Sequence, residues 1–380
     1  MTPTPTPTPP TPGSTIGVLL EGHWYDAVSE LLSRSVPASN PDGTDKTAHL
    51  TTARRLATAA RRILDLDAED FGEIARGFDA PWAQRLAESC FPLQPREPVR
   101  GALGSLVPLY ELMLEVLQLR AVRREPLQIV VTAHLIGEYL AQLAWESTLG
   151  HGGDPLRMAA SVDRLPDAVE PSRWGTDDPS CPHTSALRTT AKRSLNACNG
   201  DLAGYTAYLD RFHSRLGDAL AVCSMNHQAI GAGERPDVGE TCVHPCGFAV
   251  ARPLAERRDL DARVRLALLY VDSPIVALRH HAPVGHFFGV PSVQEISDAW
   301  IKTWDKVTTP WRDGSNPLPL TAHPPQRHSD GRLPAVGAPE DNEALPGMSA
   351  LVSAVAGRDI SAGHLVRDIG ADIRRELGGR

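Results

Sequence analysis

The sequence predicts an all-α protein. Apolar residues recur at the spacing of one helix face along most of residues 15–165 and again after residue 250. No stretch shows the alternation of a strand, no strand–helix alternation marks a parallel sheet, and no internal repeat is present. Hydrophobic residues make up 42% of the 380 residues, which is enough to build a substantial core.

Individual helices can be placed in chain order. Ala48–Leu66 carries an apolar stripe with arginines on its other side. Pro108–Arg124 and Leu127–Gly150 are longer and more apolar, so we expect them at the centre of the fold. A proline stands near the start of each, where a missing N–H leaves no helical bond unmade. Pro253–Leu269 and Pro291–Lys306 are predicted as amphipathic helices.

Segments rich in proline divide the chain into a tail, a helical domain, a linker and a C-terminal part. The first 14 residues repeat Thr-Pro, which predicts a disordered or extended tail because proline fixes φ and removes backbone donors. We expect a helical domain over residues 15–310 and a Pro-rich linker at residues 311–346. Residues 347–380 are predicted to form one or two helices on the surface.

Charge and motif content exclude several classes of function. A net charge of −8 argues against nucleic acid as a partner. No segment has the length and apolarity of a membrane span, and the N-terminus does not resemble a secretory signal, so we expect a cytoplasmic protein with reduced cysteines. Phosphate-loop, dinucleotide-binding, His-Glu-x-x-His and Gly-x-Ser-x-Gly motifs are missing, which argues against kinases, ATPases and NAD-dependent dehydrogenases.

The segment Leu278–Ser292 is the most informative part of the sequence. It places His280, His281 and His286 within seven residues, among apolar side chains and backbone-breaking prolines and glycines. Imidazoles in an apolar, irregular loop are typical of a metal or haem pocket. The alternative is a buried, hydrogen-bonded loop that holds no ligand.

The two central helices carry a second set of candidates. Glu111 and Glu115 share one helix face, as do His134 and Glu138, because residues four apart are stacked on a helix. Facing carboxylates and a histidine can hold a di-iron centre, but the Glu-x-x-His motifs of that fold are absent. We therefore expect Glu111 and Glu115 to be solvated and His134 to be a core histidine or a single pocket residue.

A third candidate is the region rich in cysteine and histidine between residues 181 and 246. Cys223, His227, Cys242 and Cys246 can close a tetrahedral zinc site with thiolate and imidazole ligands. Their spacing is looser than that of ordinary zinc fingers, and buried cysteines without a ligand are common. With structural zinc, the chain would be a non-enzymatic helical adaptor or regulator.

Three stretches together resemble one family. They are His134–Glu146 with Leu149–Pro155, Cys181–His183 with Arg211–Arg215, and Leu278–Ser292. This combination is similar to the haem-dependent tyrosine hydroxylases (L-tyrosine peroxygenases) of bacterial secondary metabolism, which are relatives of the tryptophan dioxygenase superfamily. The resemblance implies a helical bundle around a haem b with a histidine axial ligand to the iron.

The resemblance also implies an activity. Members of the family use hydrogen peroxide to hydroxylate L-tyrosine to L-DOPA, which feeds antibiotic biosynthesis. A related branch acts on 3-methyl-tyrosine and attaches its haem through a His-x-x-x-Cys motif. This chain lacks that motif, so unmodified tyrosine is the expected substrate.

Long apolar helices also allow a homodimer.

Particular residues can be assigned roles under this resemblance. His134 is the expected distal acid–base residue, because it lies mid-helix on an apolar face and an imidazole is the usual side chain for proton transfer. The axial ligand is a choice among His244, His281 and His286, followed by His213. Arg279 is expected to bind the substrate carboxylate or a haem propionate.

Overall fold

The computed structural model of the chain is built of helices. The residues that it describes are 12–35, 45–91, 105–149, 152, 217, 221, 251–281, 289–311, 314–318 and 344–378. Of the described part, 76% is helical and none of it is strand, which confirms the predicted all-α fold.

The first half of the chain supplies eight of the helices in the described part. They are α1 (Pro12–Glu21), α2 (Tyr25–Ser35), α3 (Asp45–Leu64), α4 (Phe71–Arg76), α5 (Pro81–Glu88), α6 (Val107–Val122), α7 (Pro126–Glu138) and α8 (Leu140–Leu149). A proline at the N-terminus of α5, α6 and α7 favours the start of each helix. The predicted single helix Leu127–Gly150 is instead two helices, because the chain bends by 41° at Tyr139 between α7 and α8.

The second half supplies the remaining described helices. They are α9 (Leu254–Val271), α10 (Pro274–Ala277), a 3₁₀ segment (Leu278–His281), α11 (Val293–Thr308), α12 (Met348–Ala356) and α13 (Leu365–Glu376). Ser292 begins α11 with a capping box, in which Ser292 and Glu295 each bond the backbone N–H of the other.

The helices enclose two apolar cores. The N-terminal bundle comprises α1 to α5 with α13, and the central bundle comprises α7 to α12. Helix α6 serves both, since Val116 and Leu119 pack into the first core and Met113 and Leu117 into the second. A helix that buries its whole circumference in this way belongs at the centre of a fold, as its apolar sequence predicts.

Some of the terminal segments differ from expectation. Helix α1 begins at Pro12, inside the stretch predicted as a tail. The prediction that the last helices lie on the surface is wrong, because α12 packs in the central core and α13 against α3. Both helices carry apolar faces that surface helices would leave in water, and the two cores bury them.

No single helix in the described part of the chain is long and apolar enough to cross a membrane. Helices α7 and α8 reach that length and apolarity only as a bent pair, and most of their residues are buried inside the central bundle.

Buried carboxylates cap the N-termini of two helices. Glu115 of α6 accepts hydrogen bonds from the backbone N–H groups of Val366 and Arg367, at the start of α13. Glu146 of α8 accepts from the Leu106 N–H at 2.7 Å and from the Ser105 hydroxyl, at the start of α6. The prediction that Glu115 is solvated is therefore wrong: its charge lies where the helix dipole and unpaired N–H groups favour an anion.

Candidate functional site

His134 and Glu138 form a polar pair on the last turns of α7. The Nε2 atom of His134 lies 2.5 Å from Oε1 of Glu138, and the two side chains are 12% and 21% exposed. Their spacing of four residues places them one above the other on the helix, as the sequence predicts. The pair is thus held in register by the helix itself.

Arg279 completes the cluster from a distant part of the chain. Its Nη1 atom contacts Nε2 of His134, although the two residues are 145 positions apart. The 3₁₀ segment that carries Arg279 follows α10, and both pack against α7. The fold therefore brings together the two residues to which the sequence assigns chemistry.

The Arg279 guanidinium makes no direct ion pair within the described ranges. Its polar partner there is His134, whose Nε2 atom also contacts the Glu138 carboxylate, so one imidazole nitrogen lies between the cation and a carboxylate. A half-buried guanidinium in this position can still bind a ligand carboxylate, because it can offer two parallel donors.

The other ring nitrogen of His134 is also unsatisfied. Its Nδ1 atom is buried and has no hydrogen-bond partner. Buried polar atoms in native proteins are almost always paired, so an orphaned one calls for a specific explanation.

Two buried tyrosines hold this part of α7 in place. Tyr270 donates its hydroxyl to the Ala133 carbonyl at 2.6 Å, and Tyr110 donates to the Ile136 carbonyl at 2.8 Å. Burial raises the pKa of both phenols far above its usual range, so they remain neutral donors. Helices α6 and α9 thereby fix the turns that carry His134 and Glu138.

The other candidate residues do not join this cluster in the described part. His213, His244 and His286 lie outside the described residues, as do all four proposed zinc ligands: Cys223, His227, Cys242 and Cys246. The backbone of His281 lies in the 3₁₀ segment next to Arg279, but its side chain is outside the described set.

A metal cluster is not formed by the residues that are described. Among them, no group of three His, Cys, Asp or Glu side chains is placed to hold a metal ion. Glu115 serves the N-terminus of α13, and the Glu111 backbone carbonyl accepts from Gly363. Neither carboxylate is paired with His134 in the described part.

Sequence reasoning missed two members of the site. Glu138 was identified as a helix neighbour of His134 from their spacing of four residues, but the sequence assigned it no role. Tyr110 and Tyr270 carried no signal at all, because a buried tyrosine in an apolar helix resembles any other core aromatic. Their hydrogen bonds depend on how α6 and α9 pack on α7.

The described cluster combines an imidazole, a carboxylate and a guanidinium, which are groups suited to proton transfer and to binding an anion.

No family model, curated protein or solved structure matches the chain.

Proposed function

We propose that the protein is a haem-dependent peroxygenase that hydroxylates L-tyrosine to L-DOPA. The observation that carries the proposal is the contact between His134 and Arg279, because it joins an acid–base group to a cation that can bind an anion. Two of the sequence segments that resemble the tyrosine hydroxylases, one in α7–α8 and one starting at Leu278, thereby meet in space. A bound haem b would supply the iron at which hydrogen peroxide is activated.

The proposed reaction is balanced by hydrogen peroxide alone. L-Tyrosine and hydrogen peroxide give L-DOPA and water; one oxygen atom enters the ring carbon beside the hydroxyl, and the O–O bond breaks. His134 takes the first proton of the peroxide and returns it to the oxygen that leaves as water. Arg279 binds the carboxylate of the amino acid and so orients the ring.

The remaining parts of the proposal concern the cofactor ligand and the setting. The axial ligand would be one of His213, His244, His281 and His286, of which His244 and His281 are the preferred choices. We place the reaction in the cytoplasm, in antibiotic or other secondary-metabolite biosynthesis, with L-tyrosine and hydrogen peroxide as the small-molecule partners.

An absorption spectrum with a product assay tests this function. The protein is purified from haem-supplemented cells, its spectrum is recorded with and without L-tyrosine, and L-DOPA is measured after peroxide is added. We expect a strong Soret band that shifts with L-tyrosine, and L-DOPA formation that requires both substrates. A colourless protein with one equivalent of zinc would overturn the proposal and favour the zinc-stapled adaptor.

A further inference from the structure

Glu138 has no role in the reaction as described above. We infer that Glu138 is a positioning residue: it fixes His134 in the tautomer that carries its proton on Nε2, and leaves Nδ1 as the atom that exchanges protons. The catalytic meaning of this inference rests on the proposed function, whereas the tautomer itself does not.

Two partners compete for one ring atom of His134. Nε2 contacts both the Glu138 carboxylate, at 2.5 Å, and the Arg279 guanidinium. A ring nitrogen has a single in-plane direction, which holds either an N–H or a lone pair. With an N–H it donates to Glu138, and with a lone pair it accepts from Arg279. The two contacts therefore correspond to two different tautomers of the neutral ring.

The surroundings of Nδ1 decide between the tautomers. If Nε2 accepted from Arg279, the ring proton would sit on Nδ1, which is buried and has no acceptor. Orphaned N–H donors are rarer in proteins than acceptors with a free lone pair, because a buried donor loses its bond to water without replacement. The tautomer with the proton on Nε2 avoids this loss and gains a charge-assisted bond to Glu138.

Arg279 gives up only one of its possible hydrogen bonds, the one to Nε2 of His134, in this arrangement. Its guanidinium carries five N–H donors on a flexible side chain, so it can turn from the ring towards an anion. His134 and Glu138 lack that freedom, because one helix holds them a turn apart and two tyrosines hold that helix. The His134–Glu138 contact is accordingly the fixed part of the cluster, and Arg279 is the adjustable part.

The arrangement suits a full cycle of proton transfer. In this tautomer Nδ1 is the bare nitrogen, so it is the atom that takes up a proton when the ring is exposed to the peroxide, and the Glu138 carboxylate balances the charge of the imidazolium. Return of that proton to the departing oxygen restores the starting tautomer. A carboxylate that orients the imidazole from its far nitrogen serves the same purpose in hydrolytic triads.

Nitrogen magnetic resonance reads the tautomer directly. The full-length protein is labelled with ¹⁵N-histidine, and long-range ¹H–¹⁵N spectra are recorded, with bound haem held in its diamagnetic ferrous carbon-monoxide form. The His134 signals are assigned by their loss in His134→Asn. We expect a protonated Nε2 and a bare Nδ1. The reverse pattern, with the proton on Nδ1, would overturn the inference.

The Glu138→Gln variant tests the positioning role. An amide keeps the size of the side chain and an oxygen acceptor but not the charge, so we expect its bond to Nε2 to weaken and the tautomer with the proton on Nδ1 to become populated. Turnover should fall about 10- to 100-fold, as is usual when the partner that orients a functional histidine is removed. The KM for L-tyrosine should stay unchanged, because Arg279 still binds the carboxylate. Unchanged tautomer and turnover would refute the role.

A second histidine–glutamate pair provides the matched control. Nδ1 of His49 lies 2.6 Å from Glu376, and these side chains are 50% and 28% exposed. Glu376→Gln should leave both the His134 signals and turnover as they are. If L-DOPA forms but the tautomer is reversed, the inference alone fails. If the tautomer is as stated but no L-DOPA forms, the proposed function fails and Glu138 still orients His134.

Discussion

The two bundles place their charged residues differently. Among helices α1 to α5 and α13 of the N-terminal bundle the ion pairs lie at the surface, such as Arg85 with Asp368, whose side chains are 53% and 43% exposed. The buried charges that contact these helices, Glu115 and Arg120, belong to the shared helix α6. In the central bundle charges lie inside, for example on Arg263 and Glu146, which are almost fully buried. Since burying a charge is costly unless it is well paired, each interior charge of the central bundle needs a physical reason.

Most of the interior charges form hydrogen bonds with backbone groups at the end of a helix. Arg263 donates to the Ala144 carbonyl at 2.7 Å and to the Ser147 hydroxyl at 2.5 Å, near the end of α8. It also reaches the Ala356 carbonyl at the end of α12. The cluster of His134 and Arg279 binds no helix end in the described part, and its unpaired Nδ1 atom has counterparts in the unpaired Nε atoms of the structural residues Arg120 and Arg123.

Replacement of His134 is expected to have the largest effect on activity. In His134→Ala the acid–base group is lost, so turnover should fall by about 10² to 10⁴, the usual contribution of a positioned proton donor and acceptor. Haem should remain bound, because the proposed axial ligand is a different histidine. Steady-state L-DOPA formation and the Soret band measure the two properties separately.

The exposed His49 supplies the control for this variant. His49→Ala should retain both haem and turnover, since that side chain lies at the surface of the N-terminal bundle beside Glu376. Loss of the Soret band in His134→Ala would contradict the distal role and make His134 itself the axial ligand.

The difference between interior and surface charge can be measured as stability. Arg263→Met removes the donors to two helix ends but keeps the apolar stem, and should lower the free energy of unfolding by about 1–3 kcal/mol. Arg85→Met breaks a surface pair and should cost about 0–1 kcal/mol. Urea unfolding of both variants gives the comparison. Equal losses would show that the interior position of Arg263 adds nothing.

The smallest expected effect is a change in how stability depends on pH. Burial raises the pKa of Glu115 above its usual 4.5, although hydrogen bonds from two backbone N–H groups act to lower it. The folded protein therefore holds the carboxyl proton of Glu115 more tightly than the unfolded chain does. The stabilisation is complete below pH 4.5 and is lost as the pH rises through the raised pKa. Relative to Glu115→Gln, the wild type should therefore lose stability from about pH 4.5 upwards.

A second helix-capping glutamate should show the opposite trend. Hydrogen bonds from Ser292 lower the pKa of the exposed Glu295, so its stabilisation is present above pH 4.5 and is lost as the pH falls through the lowered pKa. Unfolding curves of Glu115→Gln and Glu295→Gln between pH 3 and pH 7 distinguish the two cases. If the stability of Glu115→Gln changed with pH in parallel with that of the wild type, the raised pKa of Glu115 would be contradicted.

Much of the fold was predictable because helix periodicity is a local property. The predicted Ala48–Leu66 and Pro108–Arg124 agree within a few residues with α3 and α6. The bend at Tyr139 was not predictable, because apolar residues continue through it and only packing marks the break. The burial of Glu115 was missed for a related reason, since its partners lie about 250 positions further along the chain.

The sequence by itself determined the all-α class, the approximate bounds of α3, α6, α9 and α11, and the pairing of His134 with Glu138, because each follows from residues within a few turns of one another. Only the tertiary structure decided that Arg279 meets His134, that Nδ1 is left without a partner, and that Tyr110 and Tyr270 hold α7. Those features depend on long-range packing around two cores, which no local pattern encodes.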